Sequence, residues 1–105
     1  MKTTELMPIN SRQKSFYKKA HVTEYSNGQI ELTSYDTVVC KITPTGEFKR
    51  LWDGWSATTS NHVNEFLVQN GFKKLSKKEW LELPVERYSI VAEIVKLQNE
   101  LKRTA

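Results

Sequence analysis

The sequence predicts an α+β domain, with an antiparallel meander of three to four strands followed by two or three helices packed on one face. Two observations lead to this prediction. Residues 16–52 are rich in β-branched and aromatic residues with a period-two alternation. From residue 63 onwards, apolar residues recur at helical spacing instead. A length of 105 residues with 10% aromatic residues fits one folded domain.

We expect this single domain to span residues 1–105. Its segments are a basic, irregular N-terminal arm (1–15), the β-meander (16–53), a helical segment (55–84) and a C-terminal helix (85–105). The β pattern gives way to the helical one between residues 51 and 72, so the sheet and the helices should meet there.

The strongest turn signal in the β half is Asn27–Gly28. Because both residues tolerate a positive φ, the pair predicts a two-residue type I′ hairpin. This register places Tyr25 opposite Ile30 and brings Leu32 to the same face. Val22 then falls on the exposed face.

Two further strands complete the predicted meander. Residues 37–43 (TVVCKIT) form an apolar run typical of a strand. Residues 44–47 (PTGE) place Pro and Gly at positions that favour a turn. A fourth strand follows over residues 47–52, with Phe48 and Arg50 on the same side.

The first helix should begin at a hydroxyl cap and end at a glycine. Its apolar stripe is Val63, Phe66 and Leu67. Thr58 or Thr59 can serve as the N-cap, since a hydroxyl there accepts from a free amide of the first turn. Gly71 can adopt the left-handed conformation at the C-terminus, which allows Phe72 to pack on Leu67 in a Schellman motif.

Two more helices are predicted after this one. Ser76 and Glu79 have the spacing of a capping box, and Pro84 ends the short helix that follows. Residues 89–102 should form a third helix with an apolar stripe. That stripe either docks on the sheet of its own chain or forms the seam of a homodimer.

The charge is unevenly distributed along the chain. Residues 1–20 carry net +4, residues 21–72 carry −3, and residues 73–105 carry +3. Both ends are therefore basic, which is compatible with binding to nucleic acid. The candidate basic residues are Arg12, Lys14, Lys18 and Lys19 near the N-terminus, and Lys73, Lys74, Lys77 and Lys78 around the second helix start. The alternative is that these lysines form an ordinary solvated face.

Aromatic side chains could complement these lysines. Tyr17, Tyr35 and Trp55 could stack on bases if they are exposed. Trp52 and Trp55 flank a turn, where they either pack in the core or anchor an interface. Together with His62, Trp55 is a candidate partner-binding residue.

The sequence offers no set of residues for catalysis or metal binding. His62 has no second His or Cys at helical spacing, and Cys40 lies in an apolar run typical of a core. The hydroxyls before His62 are typical of helix caps, and no glycine-rich phosphate loop is present. We therefore expect no enzyme activity, no cofactor and no metal.

The chain has neither the pattern of a secretory signal nor an apolar run near the ~20 residues that span a bilayer. These features predict a cytoplasmic protein without a membrane partner.

Four runs of sequence have a familiar pattern: residues 12–22 (RQKSFYKKAHV), 55–67 (WSATTSNHVNEFL), 69–72 (QNGF) and 76–80 (SKKEW). Together they resemble small uncharacterised proteins that phages and plasmids of Gram-positive bacteria encode. The resemblance covers residues 10–84. It implies a mobile-element context, in which small proteins often bind host nucleic acid or host defence complexes.

Three functional hypotheses follow. The first is a non-enzymatic phage or mobile-element accessory protein that binds nucleic acid or a host nucleoprotein through a basic surface. The second is a protein-binding inhibitor of a host defence machine, such as an anti-CRISPR protein. The third is a homodimeric structural module held together by the C-terminal helix.

Overall fold

A computed structural model describes residues 1–9 and 13–86. The elements are β1 (Lys2–Glu5), β2 (Ala20–Glu24), β3 (Ile30–Ser34), β4 (Thr37–Ile42), β5 (Phe48–Arg50), α1 (Ala57–Gln69) and α2 (Lys77–Glu82). The strands form one antiparallel sheet in the order β1-β2-β3-β4-β5. The predicted α+β meander is confirmed, with five strands rather than three or four. Arg12 and the predicted C-terminal helix lie outside the described residues.

The prediction of an irregular N-terminal arm is wrong for its first residues. β1 pairs with β2 along its whole length, from Lys2 opposite Glu24 to Glu5 opposite His21. The hydroxyls of Thr3 and Thr23 lie 3.1 Å apart across this pair. Because the four residues of β1 have no apolar alternation, the sequence carried no signal for this strand.

The predicted register of the β2–β3 hairpin is also wrong, by one residue. The Tyr25 N–H donates to the Gln29 carbonyl, and the Gly28 N–H donates to the Tyr25 carbonyl. The loop therefore has three residues and ends with Gly28 at φ +94° instead of forming a two-residue turn. Val22 consequently lies opposite Leu32 on the core side. Burying Val22 favours this register over the predicted one.

The β4–β5 hairpin has the same loop geometry. The Thr43 N–H donates to the Glu47 carbonyl, the Gly46 N–H donates to the Thr43 carbonyl, and Gly46 has φ +91°. Both three-residue loops lie at one end of the sheet. The β3–β4 turn lies at the opposite end, where Ser34 pairs with Thr37.

The core lies between one face of the sheet and α1. Its buried side chains are Leu6, Phe16, Ala20, Leu32, Val39, Cys40, Ile42, Val63, Phe66, Leu67 and Trp80. The predicted stripe of α1 is the stripe that is buried. Each fully buried aliphatic or aromatic side chain contributes about 1.5–3 kcal/mol, so this cluster supplies the main driving force for folding.

Hydroxyl caps begin both helices. The N-cap of α1 is Ser56, whose Oγ accepts from the Thr59 N–H, so the prediction of Thr58 or Thr59 is wrong by two or three residues. The capping box of α2 is confirmed. Ser76 Oγ accepts from the Glu79 N–H, and the Glu79 carboxylate accepts from the Ser76 N–H.

The predicted Schellman motif at the end of α1 is confirmed. The Gly71 N–H donates to the Val68 carbonyl and the Phe72 N–H donates to the Leu67 carbonyl, with Gly71 at φ +83°. The Phe72 ring packs on Phe48 of β5, with ring centroids 6.2 Å apart. The helix terminus thereby joins the edge of the sheet.

A buried arginine and a tryptophan attach α2 to the sheet. Arg50 donates from Nε to the Trp52 carbonyl and from Nη1 to the Leu83 carbonyl. Its guanidinium lies 4.9 Å from the centre of the Trp80 ring. The Trp80 indole N–H donates to the Gly54 carbonyl at 2.8 Å. These contacts satisfy the Arg50 and Trp80 donors where both side chains are buried.

Beyond α2 the chain returns to the edge of the sheet. Val85 forms a parallel bridge with Arg50, and the Glu86 N–H donates to the Arg50 carbonyl. The Glu86 carboxylate lies 3.5 Å from the ammonium of buried Lys41. This ion pair holds the end of the described chain against the sheet.

Gly54 provides a test of this packing. A Cβ at Gly54 would lie 2.6 Å from Cε2 of Trp52, so Gly54→Ala should lower the free energy of unfolding by about 1–3 kcal/mol. Urea denaturation measures this loss. Trp52→Phe removes part of the obstructing ring, and the double variant should therefore lose less than the sum of the two single variants. Strictly additive losses would show that the two residues do not collide.

Candidate nucleic-acid interface

A groove of about 270 Å³ opens at the end of the sheet that carries the β3–β4 turn. It lies between the turn and the first residues of α1. Its lining residues are Ser34, Tyr35, Thr37, Val39, Trp52, Trp55, Ser56 and Thr59. Three of these eight residues are aromatic and five carry a hydroxyl, so the groove offers both flat apolar faces and hydrogen-bonding groups.

A buried hydrogen-bonded chain lies at the base of the groove. The Ser34 hydroxyl lies 2.9 Å from the Thr59 hydroxyl and 2.8 Å from Nδ1 of His62. His62 is only 1% exposed, and the ring of Phe16 packs edge-on against it with centroids 4.6 Å apart. Burial lowers the pKa of His62, because the charged imidazolium loses its hydration. The imidazole that we considered a candidate partner-binding group is therefore a core group that supports the groove from beneath.

Tyr35 forms the sheet side of the groove. It has φ +56°, which a residue other than glycine adopts only when its surroundings hold it there. Its N–H donates to the Lys19 carbonyl at 2.7 Å, and its ring is half exposed. The Lys19 ammonium lies 5.8 Å from the centre of that ring.

Lys19 ends a second strained turn at the same end of the sheet. Tyr17 and Lys18 have φ +51° and +61°, and the Lys19 N–H donates to the Phe16 carbonyl. Phe16 is buried on one side of this turn and β2 begins with Ala20 on the other, so the chain must reverse within a few residues. Tyr17 is thereby left 76% exposed. Anchors on both sides stabilise a conformation that costs about 1–3 kcal/mol for each strained residue.

Trp55 forms the helix side of the groove. It is half-buried and packs against the core cluster, yet its ring also lines the groove. The Lys77 ammonium lies 4.7 Å from the centre of the ring. Its Nε1–H is buried and has no acceptor among the residues that the structure describes. Trp55 therefore packs against the core with part of its surface and lines the groove with another part.

The other candidate lysines lie at different distances from the groove. Lys18 and Lys14 are exposed in the segment that leads into β2. Lys73 and Lys74 follow the end of α1, whereas the groove lies at its beginning. Lys78 is exposed on α2. At the start of α2 the Glu79 carboxylate accepts from the Ser76 N–H, which places a negative charge beside these lysines.

Nothing in the described part of the chain forms a metal or thiol centre. Residues 1–9 and 13–86 contain no group of three or more His, Cys, Asp or Glu side chains that could hold a metal. Cys40 is fully buried, and burial raises the pKa of its thiol well above the ordinary value. The lining of the groove offers aromatic surfaces and hydrogen-bonding groups.

Sequence reasoning assigned none of the Ser and Thr residues of the groove to a site. Thr59 was predicted only as a helix cap and Ser34 has no neighbouring motif, and the packing of α1 on β3 brings the two together. Tyr35 was recognised as a possible stacking residue, but nothing in its neighbourhood indicated a turn with positive φ. The structure brings two of the basic residues named from the sequence next to aromatic ones, Lys19 to Tyr35 and Lys77 to Trp55.

Fold and site together define a small α+β domain with an aromatic groove flanked by lysines. The chain belongs to a family of unknown function (DUF8033), whose model matches residues 4–82. Membership of an uncharacterised family is therefore confirmed. No curated protein and no solved structure matches the chain. No helix among the described residues is long and apolar enough to span a membrane.

The buried state of His62 predicts a dependence of stability on pH. In the unfolded chain the imidazole takes up a proton near pH 6.5, whereas the folded protein resists protonation down to a lower pH. The free energy of unfolding should therefore be highest above about pH 6.5 and fall as the pH decreases below it. Denaturant titrations between about pH 7.5 and about pH 5.5 measure this loss.

His62→Asn should be less stable than the native chain but should show a flatter pH dependence in the same interval. His21→Asn is the matched control, because His21 lies on β2 and takes no part in the buried chain of hydrogen bonds. If the free energy of unfolding of His62→Asn depends on pH as steeply as that of the native chain, His62 is not the source of the pH dependence.

The strained turn predicts a substitution that stabilises the fold. Lys18→Gly should raise the free energy of unfolding by up to about 1 kcal/mol, because glycine adopts a positive φ without a steric penalty. Lys14→Gly removes a similar exposed lysine at a position without positive φ and should give no increase. Thermal and urea unfolding compare the two variants. Equal changes in the free energy of unfolding of the two variants would show that the Lys18 backbone is not strained.

Proposed function

We propose that this protein is a non-enzymatic accessory protein of a phage or other mobile element that binds nucleic acid, free or within a nucleoprotein, through the groove. The observation that carries the proposal is the placement of two lysines. The aromatic side chains on the sheet side and the helix side of one groove, Tyr35 and Trp55, each have a lysine ammonium within 6 Å of the ring centre.

This arrangement combines the two attractions that nucleic-acid proteins use most. Lysines that neutralise phosphates release counterions and supply affinity regardless of sequence. Aromatic rings supply stacking surfaces for bases. Lys18 and Tyr17 add an exposed cation and an exposed ring close to Lys19. A net charge of only +4 is sufficient when cations gather at one groove, because local potential governs encounter with an anion.

The mobile-element context is supported by the resemblance of residues 10–84 to proteins that phages and plasmids encode. Small proteins of this origin act by binding, which suits a domain whose groove offers recognition groups. Binding to a host nucleoprotein would use the same surface, since its nucleic acid presents the same phosphates and bases.

Fluorescence anisotropy of labelled oligonucleotides over a range of salt concentrations tests the proposal. The double variant Lys19→Gln/Lys77→Gln should bind more weakly, and the slope of log affinity against log salt should shrink by about one to two. Lys2→Gln is the matched control, because Lys2 lies on the opposite edge strand β1 and its loss should leave affinity nearly unchanged. Asp36→Asn removes a negative charge beside Tyr35 and should strengthen binding.

Absence of binding to any oligonucleotide at low salt would overturn this proposal. The second candidate function, inhibition of a host defence machine by binding one of its proteins, would then take its place. One observation favours that alternative: Tyr17 and Tyr35 are exposed, and tyrosine is enriched in protein interfaces. A nuclease-inhibition assay of the native chain against its Tyr17→Ala and Tyr35→Ala variants distinguishes the two functions.

A further inference from the structure

We infer that the ligand of the groove is single-stranded nucleic acid, with an unpaired base placed against Tyr35 and Trp55 and the flanking phosphates held by Lys19 and Lys77. The inference rests on the proposed function, nucleic-acid binding, and specifies its ligand. Binding of duplex DNA through the lysines alone would agree with the proposed function but would contradict the inference of a single-stranded ligand.

The shape of the site favours an unpaired base over a base pair inside a duplex. Its recognition groups lie inside a recess of about 270 Å³ rather than on a protruding helix or ribbon. A duplex is read by an element that enters one of its grooves. A recess can receive only a group that projects from the ligand. In nucleic acids that group is a base free of pairing and stacking, as in single strands and loops.

The lining of the recess matches a base and not a phosphate. Its three aromatic side chains offer flat faces, and Thr37 and Ser56 contribute hydroxyls that can meet the polar edge of a base. Among the residues that line the groove there is no lysine or arginine. Anions are therefore attracted to Lys19 and Lys77, whose ammonium groups lie 5.8 Å and 4.7 Å from the centres of the Tyr35 and Trp55 rings, while the interior is suited to a neutral aromatic ring.

The stacking surface on the sheet side is held in place before any ligand arrives. The Tyr35 N–H is hydrogen-bonded to the Lys19 carbonyl, and the residue is kept at φ +56°. Beneath it, Ser34 is tied to Thr59 and His62 of α1. Because the backbone that carries the ring is fixed in advance, less ordering cost opposes stacking.

The probes are three labelled oligonucleotides: an oligothymidylate of about ten nucleotides, a duplex of the same length, and an abasic strand of the same length. The abasic strand carries the phosphates without the bases. The native protein should bind the oligothymidylate about tenfold more tightly than the abasic strand, because stacking is lost with the bases. The duplex should bind no more tightly than the abasic strand.

Tyr35→Ala should remove this preference while leaving the affinity for the abasic strand unchanged. Tyr35→Phe retains the ring and should keep the preference. Tyr25→Ala is the matched control, because Tyr25 lies beside the β2–β3 loop at the opposite end of the sheet. Urea unfolding of each variant establishes that any loss arises from the missing ring rather than from unfolding.

The outcomes separate this inference from the proposed function. Equal, salt-dependent binding of all three probes, unchanged in Tyr35→Ala, would overturn the single-strand inference and leave the proposed function standing. Absence of binding to every probe at low salt would overturn both and point to a protein partner. Selective loss of oligothymidylate binding in Tyr35→Ala, with rescue by phenylalanine, would establish it.

Discussion

The contact on which the rest of the structure depends is the buried hydrogen bond between Ser34 and His62. It joins the last residue of β3 to the middle of α1, and the same imidazole ring receives the edge of Phe16. Sheet, helix and the segment before β2 therefore meet at one neutral imidazole. Since Tyr35 follows Ser34 directly, the position of the groove is set by this core contact. The position of the groove and the stability of the interior are for this reason closely linked.

The parts of the fold that local chemistry determines were predictable from sequence. The Schellman motif at Gly71 and the capping box at Ser76 each depend on a few neighbouring residues, and both are present as expected. The β2–β3 register was not predictable in this way. Asn27–Gly28 is compatible with a loop of two or three residues, and the choice depends on burying Val22 opposite Leu32. That is a tertiary requirement that the turn residues do not encode.

The site was only partly predictable, because its residue types are visible in the sequence but their packing is not. Basic and aromatic residues are visible in any sequence, and those named in advance include both lysines that lie near the Tyr35 and Trp55 rings. Which lysine lies next to which aromatic ring is not visible in the sequence. Lys19 reaches Tyr35 only through a strained turn. Lys77 reaches Trp55 only after the chain has turned back along α1. Asn64 fixes that return by hydrogen-bonding the backbone N–H and carbonyl of Leu75. A pattern in the sequence indicates which groups are available, and packing decides which of them act together.

The fully buried thiol of Cys40 has a practical consequence for studying this protein. Its raised pKa keeps it protonated and therefore a poor nucleophile toward maleimides. A cysteine introduced at Ser26 or Thr45, in the exposed hairpin loops at the far end of the sheet from the groove, would thus be the preferred point of attachment within residues 1–9 and 13–86. A fluorophore or a surface linker could be placed there without removing the native cysteine, leaving the groove open to its ligand.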